Sequence, residues 1–585
     1  MTDQLVREYP RAAIAPPGAR TFRFFRWQLA ELSPRGSWRV LAVLALPVAW
    51  HFLHREGGTA NIVFGIGVTL ALAALVTLAT RRALFGGVVV TLMVAIVVLA
   101  STFKRQVMDM VVHAYDLYFY FTSWSTVSYL WSDHRGYMLA LVGVALLAAV
   151  LGFLAFKLDG TRIDRRWAFG AAAGFIAFAT AAASVKGERR HTQFYWEDLY
   201  VTSFYSSWNE TLETLWRGQL IEALDGPHGG PPFRIPDTCE VRAKPPHIIL
   251  IHQESVVQPS LFPGLAYDRS VDPFFRSGDG RLHQMRVETY GGASWLTEFS
   301  ILAGVSTHSF GGMRQFVQSM MAGKVRDTMP EALQRCGYRN VVFYPMLRNF
   351  VSNARFYQAV GMPEVFDLKD QGATSANERD RFYYKNALDE MSRHVASSQK
   401  PLFTYIQTMA AHSPYNYTYQ PEVEVPGGGP GTEPQMHEYL RRLSMARIDY
   451  EWLRSEIRRR FPDEPVLIVH YGDHHPIATR TFLGYGIYDD PEDMSIKADG
   501  PGYITYYAVD GHNYRPPPLP SVDVLDVPYL GGVILEAAGL PLSDSYRERK
   551  RLMRICGGRY HGCGRREEVL GFHRRLIDSG LIDAR

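Results

Sequence analysis

PVLIVHYGDHH, residues 465–475, is an apolar run that stops abruptly on an aspartate and two histidines. A short, near-continuous apolar run bounded by a turn reads as a strand buried on both faces, as in a parallel sheet. HIILIHQES (247–255), YRNVVFYP (338–345) and PLFTYIQTMA (401–410) read the same way. Between these runs, TMPEALQRCG (328–337) and YEWLRSEIRRRF (450–461) carry helical periodicity. Alternating strand and helix makes this half of the chain an α/β domain with a central, mostly parallel sheet.

In open α/β sheets, ligands bind beyond the carboxyl ends of the strands. The polar residues expected there are Glu254, His412, Asp473, His474 and His475. Glu, Asp and His are the side chains that hold a hard or borderline divalent cation. A single strand-end glutamate often just caps the next helix, and a single histidine is more often structural. The metal reading rests on all of them falling at the ends of predicted neighbouring strands.

A nucleophile is offered by VETYGGASWLTEFSILAGV (287–305). Gly291 and Gly292 permit a tight turn, Ser294 follows, and the run after it reads as a helix. A serine at a helix N-terminus has backbone N–H groups nearby that favour phosphate. A metal bound to its hydroxyl would lower the pKa and make a nucleophile. The bland alternative is a plain N-cap.

The character of the 585-residue chain changes near residue 190, which its mean hydropathy of −0.11 conceals. Before that point, five apolar stretches (roughly 38–54, 59–80, 83–103, 137–156 and 167–185) each approach the ~20 residues that span a bilayer core. The first is the weakest, with Pro47 and His51 inside it, and about 37 polar, Arg-rich residues precede it, which argues against a cleavable signal. Arg81 and Arg82, then Lys157, Arg162, Arg165 and Arg166, fall on the same side as the basic N-terminus. That side is expected to be cytoplasmic, which puts the chain after residue 186 outside; Lys104, Arg105, Lys186, Arg189 and Arg190 dissent. Cys239, Cys336, Cys556 and Cys563 all lie in the outer part, an even number suited to an oxidising compartment. The expected pairs are 239 with 336 and 556 with 563.

The domains expected are a basic N-terminus (1–37), five membrane helices (38–190), an interfacial segment and linker (191–244), a catalytic domain (245–545) and a basic C-terminal appendix (546–585). The stretch 194–216 mixes aromatic and charged residues at roughly helical spacing. It reads either as an amphipathic helix on the bilayer or as an ordinary packed one.

Glu254, the Gly-Gly/Ser294/Glu298-Phe299 segment, His412 and Gly472-Asp473-His474-His475, in this order, resemble the alkaline phosphatase superfamily. Five spans ahead of an outer domain resemble its lipoteichoic acid synthase and phosphoglycerol transferase group. The resemblance implies a metal site of Glu254, Ser294, Asp473 and His474, with Ser294 also the nucleophile and His412 on the substrate side. The family usually has threonine at the position of Ser294; Thr297 is the fallback nucleophile. Where the group binds glycerol phosphate with an arginine and a tryptophan, this chain has Asn353 and Val351, with Arg348 and Arg355 nearby. Substrate contacts are therefore expected from His412, Arg348, Arg355, Asn353 and His475. The CxPSR or SxPSR sequence of formylglycine sulfatases is missing, so sulfate-ester cleavage by that route is excluded.

The implied activity is transfer of a phospholipid head group to an outer glycan at a bacterial cytoplasmic membrane, with one divalent ion (manganese first, magnesium or zinc otherwise). Phosphatidylglycerol is the preferred donor and phosphatidylethanolamine the second; no nucleic-acid partner is expected. Alternatives are a phosphodiesterase using water, a non-enzymatic scaffold and a transporter. The scaffold is opposed by the intact ligand set. The transporter is opposed by spans nearly free of ionisable residues, His51 excepted.

Overall fold

The computed structural model describes residues 31–108, 110–119, 124–186, 199–226, 230–237, 239, 244–348, 350, 353–484 and 500–584. Expectations placed on the first thirty residues, on Arg189 and Arg190, on the start of the 194–216 stretch and on Val351 lie outside them.

Among the described residues, five helices are long and apolar enough to cross a membrane: α1 (Pro34–Arg55), α2 (Thr59–Thr80), α3 (Ala83–Met108), α4 (Arg135–Leu158) and α5 (Arg165–Lys186). The first has the lowest mean hydropathy, 1.3 against 1.7 to 2.8 for the others. The basic loops meet at one end of the bundle. Arg81 Nε donates to the Ile163 carbonyl at 3.2 Å, Arg82 Nη1 to the Asp159 carbonyl at 3.1 Å, and Arg162 pairs with Glu31 at 2.7 Å.

At the other end of α2, the buried Glu56 accepts from the backbone N–H of Val201 (2.8 Å) and Thr202 (3.2 Å). These residues open α6 (Thr202–Arg217), so Glu56 ties the bundle to the segment that leads toward the α/β domain. His51, the ionisable residue expected inside a span, contacts Glu56 at 3.0 Å at this same end. Along α6, Ser203, Phe204, Ser207 and Thr211 are buried, whereas Trp208, Leu212 and Trp216 stand exposed four residues apart. These three side chains form an exposed apolar row along one face of α6.

The α/β domain is built on strands β1 (His247–Gln253), β2 (His283–Arg286), β3 (Arg339–Phe343), β4 (Glu364–Phe366), β5 (Leu402–Gln407), β6 (Val466–Gly472), β7 (Ile504–His512) and β8 (Val524–Asp526). Their order is β4-β3-β5-β1-β6-β7-β2-β8, and only β7 runs antiparallel to its neighbours. Every residue of β1, β5 and β6 is buried, because apolar clusters cover both faces of the sheet. Each buried Ile, Val or Leu contributes about 1.5–3 kcal/mol relative to exposure, so the central strands are the stable platform for the loops beyond them. The helices that matter for those loops are α7 (Ser294–Ala303), α8 (Asp380–Ser397) and α9 (Pro434–Arg460).

Disulfides join Cys239 to Cys336 and Cys556 to Cys563. The C-terminal segment, α10 (Asp544–Ile555) and α11 (Arg566–Asp578), is more than an appendix: Leu552, Phe572 and Leu576 belong to the main core. Arg549, itself buried, donates to the carbonyls of Gly304 (2.8 Å) and Ala303 (3.1 Å) and so satisfies the C-terminus of α7.

Candidate active site

Strand β1 lies between β5 and β6, so the residues that follow all three strands gather in one place. Gly472 ends β6 so close to the β1 loop that a Cβ there would sit 1.9 Å from the Val256 carbonyl oxygen. Only glycine permits that approach, and it brings Asp473 against Ser255. Asp473 Oδ1 accepts the backbone N–H of both Ser255 and His474, each at 2.8 Å. Its other oxygen, Oδ2, lies 2.9 Å from His252 Nε2 and 3.2 Å from His474 Nε2. His474 Nδ1 donates to the His475 carbonyl at 2.9 Å, which turns Nε2 toward the carboxylates.

Ser294 arrives from the other side of the site. Gly291 (φ 71°) and Ala293 (φ 61°) adopt left-handed backbone that turns the chain sharply into α7. For alanine this conformation costs roughly 1–2 kcal/mol, and with no side chain capping the helix its first N–H groups stay open to an anion. Ser294 Oγ donates to Glu254 Oε2 at 2.8 Å and lies 3.4 Å from His474 Nε2. Glu254 Oε1 accepts from Ser255 Oγ at 2.8 Å and is 3.3 Å from His474 Nε2. The fallback nucleophile is ruled out by position: Thr297 is buried and its hydroxyl is spent on the Asp473 carbonyl at 2.8 Å.

The electrostatics follow from burying carboxylates together. Burial opposes a charged ring at His474, but Asp473 and Glu254 outweigh it and hold the pKa up to about 9. Burial likewise opposes charge on Glu254, yet the His474 ring keeps its carboxyl well below the usual range. Such carboxylates demand compensating positive charge, which a divalent cation supplies.

Glu254, Asp473, His474 and Ser294 fit such an ion. Their neighbouring donor atoms are 2.8 to 3.4 Å apart, as ligands are around an ion with bonds of about 2.0–2.2 Å. Asp473 Oδ2 is also buried without a hydrogen-bond partner. A buried group formed by His252, Glu254 and Asp473 has its candidate ligand atoms within 4.8 Å of one another. His252 is the residue that sequence reasoning missed.

His412, half-buried, sits five residues past β5 and donates from Nδ1 to the Ser413 carbonyl at 2.5 Å, leaving Nε2 for proton transfer. It follows β5, which pairs with β1, so its loop leaves the sheet next to the one that carries Glu254. Two buried groups hold its loop. Asp380 Oδ1 accepts from the N–H groups of Met409 (3.3 Å) and Ala410 (3.0 Å). Arg442 donates to the carbonyls of His412 (2.6 Å) and Pro414 (2.9 Å).

Of the other expected substrate contacts, His475, Arg348 and Asn353 are engaged by other partners, and Arg355 is exposed. His475 needs correction: its Nε2 bonds the Ile504 carbonyl at 2.7 Å, its Nδ1 is 3.4 Å from Thr479 Oγ1, and burial holds its pKa down to about 4. Consecutive residues leaving a strand point to opposite sides, so only one histidine of the pair can enter the site. Arg348 is turned to Asp367 (3.2 Å) and Asp370. Asn353 is buried, its Nδ2 donating to Tyr344 Oη at 2.7 Å. Arg355 is exposed, on the short helix Asn353–Ala359.

A family model described as Sulfatase matches residues 283–498. A Haemophilus influenzae protein described only as uncharacterized is 22% identical over 313 residues, 52% of this chain and 54% of its own length. The chain thus spans about half the length of the curated relative it matches. Among solved structures, the Streptococcus pyogenes phosphoglycerol transferase GacH in complex with sn-glycerol-1-phosphate is similar at 17% identity, covering 58% of this chain and 87% of that one, with a TM-score of 0.45. The lipooligosaccharide phosphoethanolamine transferase A of Neisseria meningitidis is similar at 12% identity, covering 84% and 98%, with a TM-score of 0.46.

Proposed function

We propose that this chain, which carries a sulfatase-type domain of the alkaline phosphatase superfamily over residues 283–498, transfers a phospholipid head group through a covalent intermediate on Ser294. The observation that carries the proposal is the placement of Ser294 Oγ. It sits at the N-terminus of α7, 2.8 Å from Glu254 and 3.4 Å from His474 Nε2, in a buried cluster with Asp473. The turn that delivers it also leaves helix N–H groups free to bind the phosphoryl oxygens.

In the first half-reaction Ser294 Oγ, its proton lost to solvent, attacks the phosphorus. The bond from phosphorus to the diacylglycerol oxygen breaks, and His412 Nε2 supplies the proton that the leaving alkoxide needs. In the second half, an acceptor hydroxyl returns a proton to His412 Nε2, attacks the same phosphorus and expels Ser294 Oγ, which regains a proton from solvent. A divalent ion held by Glu254, Ser294, Asp473 and His474 would lower the serine hydroxyl pKa and neutralise charge on the phosphoryl group.

The anchor suits this chemistry because the donor never leaves the bilayer. The basic loops sit at the bundle end opposite Glu56, so the charge bias puts the α/β domain outside the cytoplasm. The two disulfides suit the same side. Phosphatidylglycerol is the first donor to test and phosphatidylethanolamine the second, with an outer glycan as acceptor. The test is release of diacylglycerol from vesicles of each lipid, with and without glycan. Acceptor-dependent release supports a transferase; equal release without acceptor identifies a phosphodiesterase; no release from either lipid defeats the proposal.

A further inference from the structure

Two buried atoms face each other in the site. His252 Nε2 and Asp473 Oδ2 are 2.9 Å apart, an ion-pair contact, yet both atoms are buried without a well-formed hydrogen bond. Leaving such atoms unpaired in a protein interior costs about 1–3 kcal/mol each.

The other edge of the ring decides its tautomer. His252 Nδ1 is 3.0 Å from Tyr471 Oη and 3.1 Å from Tyr405 Oη, and the two hydroxyls are 2.9 Å apart. Tyr405 Oη in turn donates to the buried carboxylate of Glu298 at 2.9 Å. If Nδ1 carries the hydrogen, one unbroken chain results: Nδ1–H to Tyr471, Tyr471 to Tyr405, Tyr405 to Glu298. Every donor then has an acceptor, and every dipole points toward the negative end. In that tautomer Nε2 presents a lone pair to a carboxylate oxygen, an arrangement only a cation between them makes favourable.

We propose that His252 is itself a ligand of the metal site, so that the ion is held by two imidazoles (His252 and His474 through Nε2) with Glu254, Asp473 and Ser294. This rests on the metal site argued above and goes beyond it in ligand number and metal class. One imidazole among oxygens suits magnesium or manganese as well as zinc; two favour zinc and its borderline neighbours. Glu298, one turn after Ser294 on α7, then couples the nucleophile's helix to a metal ligand through the tyrosine pair.

The experiment is X-ray absorption at the zinc edge on the full chain in detergent, stripped by chelation and given one equivalent of zinc, with affinity measured by calorimetry. The expected result is two imidazoles in the wild type, one in His252→Gln, and a loss of zinc affinity of about 100-fold in that variant. A wild-type count of one, or two imidazoles persisting in His252→Gln, overturns the inference. Should His252→Gln not fold, His412→Gln takes its place and must still show two. The underlying metal site fails separately, if the wild type retains no zinc or Asp473→Asn retains it equally well.

Discussion

Arg442→Met should disable the enzyme through a residue that touches no substrate. Arg442 is fully buried, and its Nε pairs with Glu438 at 2.7 Å. Its two terminal nitrogens hold the carbonyls of His412 at 2.6 Å, Pro414 at 2.9 Å and Tyr417 at 3.3 Å. The rings of Tyr415, Tyr417 and Tyr419 surround it at 5.2, 4.9 and 5.2 Å. Breaking a buried ion pair by removing one partner costs about 3–5 kcal/mol, and Arg441, 2.9 Å from Glu438, keeps the loss toward the lower end. The larger effect is on position, because displacing a catalytic group by an ångström costs about 100-fold in rate. We expect kcat for diacylglycerol release to fall about 100-fold with KM little changed, while zinc binding, which does not involve the His412 loop, stays within a factor of two. Arg442→Lys keeps the charge but not the planar fork, and should fall between. Assays are vesicle turnover, urea denaturation and calorimetry. Turnover within threefold of wild type in Arg442→Met, or a parallel loss of zinc binding, would refute the positioning role.

Ser294→Thr keeps the hydroxyl and should retain turnover within about tenfold, read in the same vesicle assay; complete loss would show that the turn at Ala293 excludes a β-branched residue. Replacing the Cys239–Cys336 pair, which closes a loop of 97 residues, should cost about 4.7 kcal/mol, against roughly 2.5 for Cys556–Cys563 and its separation of 7. Urea midpoints of the two double-alanine variants check the order. Burial, then Asp449, pushes the Asp380 carboxyl up to about 7 from its ordinary 3.8. The unfolded chain therefore releases that proton first, and stability, full below about pH 4, declines by something on the order of 4 kcal/mol as pH rises through 7. Asp380→Asn should flatten this slope when melting temperatures are compared at pH 4.5 and 7.5, and an unchanged slope would contradict the assignment.

The strands most legible in the sequence were the ones buried on both faces. β1, β3, β5 and β6 announce themselves as apolar runs, and their ends located Glu254, His412, Asp473 and His474. β2, β4 and β8 are only four, three and three residues long and gave no periodic signal. β7, with nine, adjoins the undescribed residues and is dense in tyrosine. His252 was hidden because it sits inside a run read as near-continuously apolar. Side chains two apart on a strand share a face, so its spacing from Glu254 was the available clue. Asn353, Arg348 and His475 were chosen for chemistry and proximity in sequence, and packing decided otherwise: each is engaged by a neighbour that no linear pattern reveals. Arg442, thirty residues from the loop it holds, has no local signature either.

The central claim is a covalent head-group intermediate on Ser294, and intact-mass analysis with peptide mapping tests it most directly. The wild-type chain and Ser294→Ala would each be incubated with phosphatidylglycerol and, separately, with phosphatidylethanolamine, in the presence of zinc or manganese and without acceptor. The account predicts a phosphoglycerol or phosphoethanolamine adduct on the peptide carrying Ser294, formed with one of the two lipids and missing from Ser294→Ala. An adduct on another residue, or diacylglycerol released with no adduct trapped under any of these conditions, would contradict it.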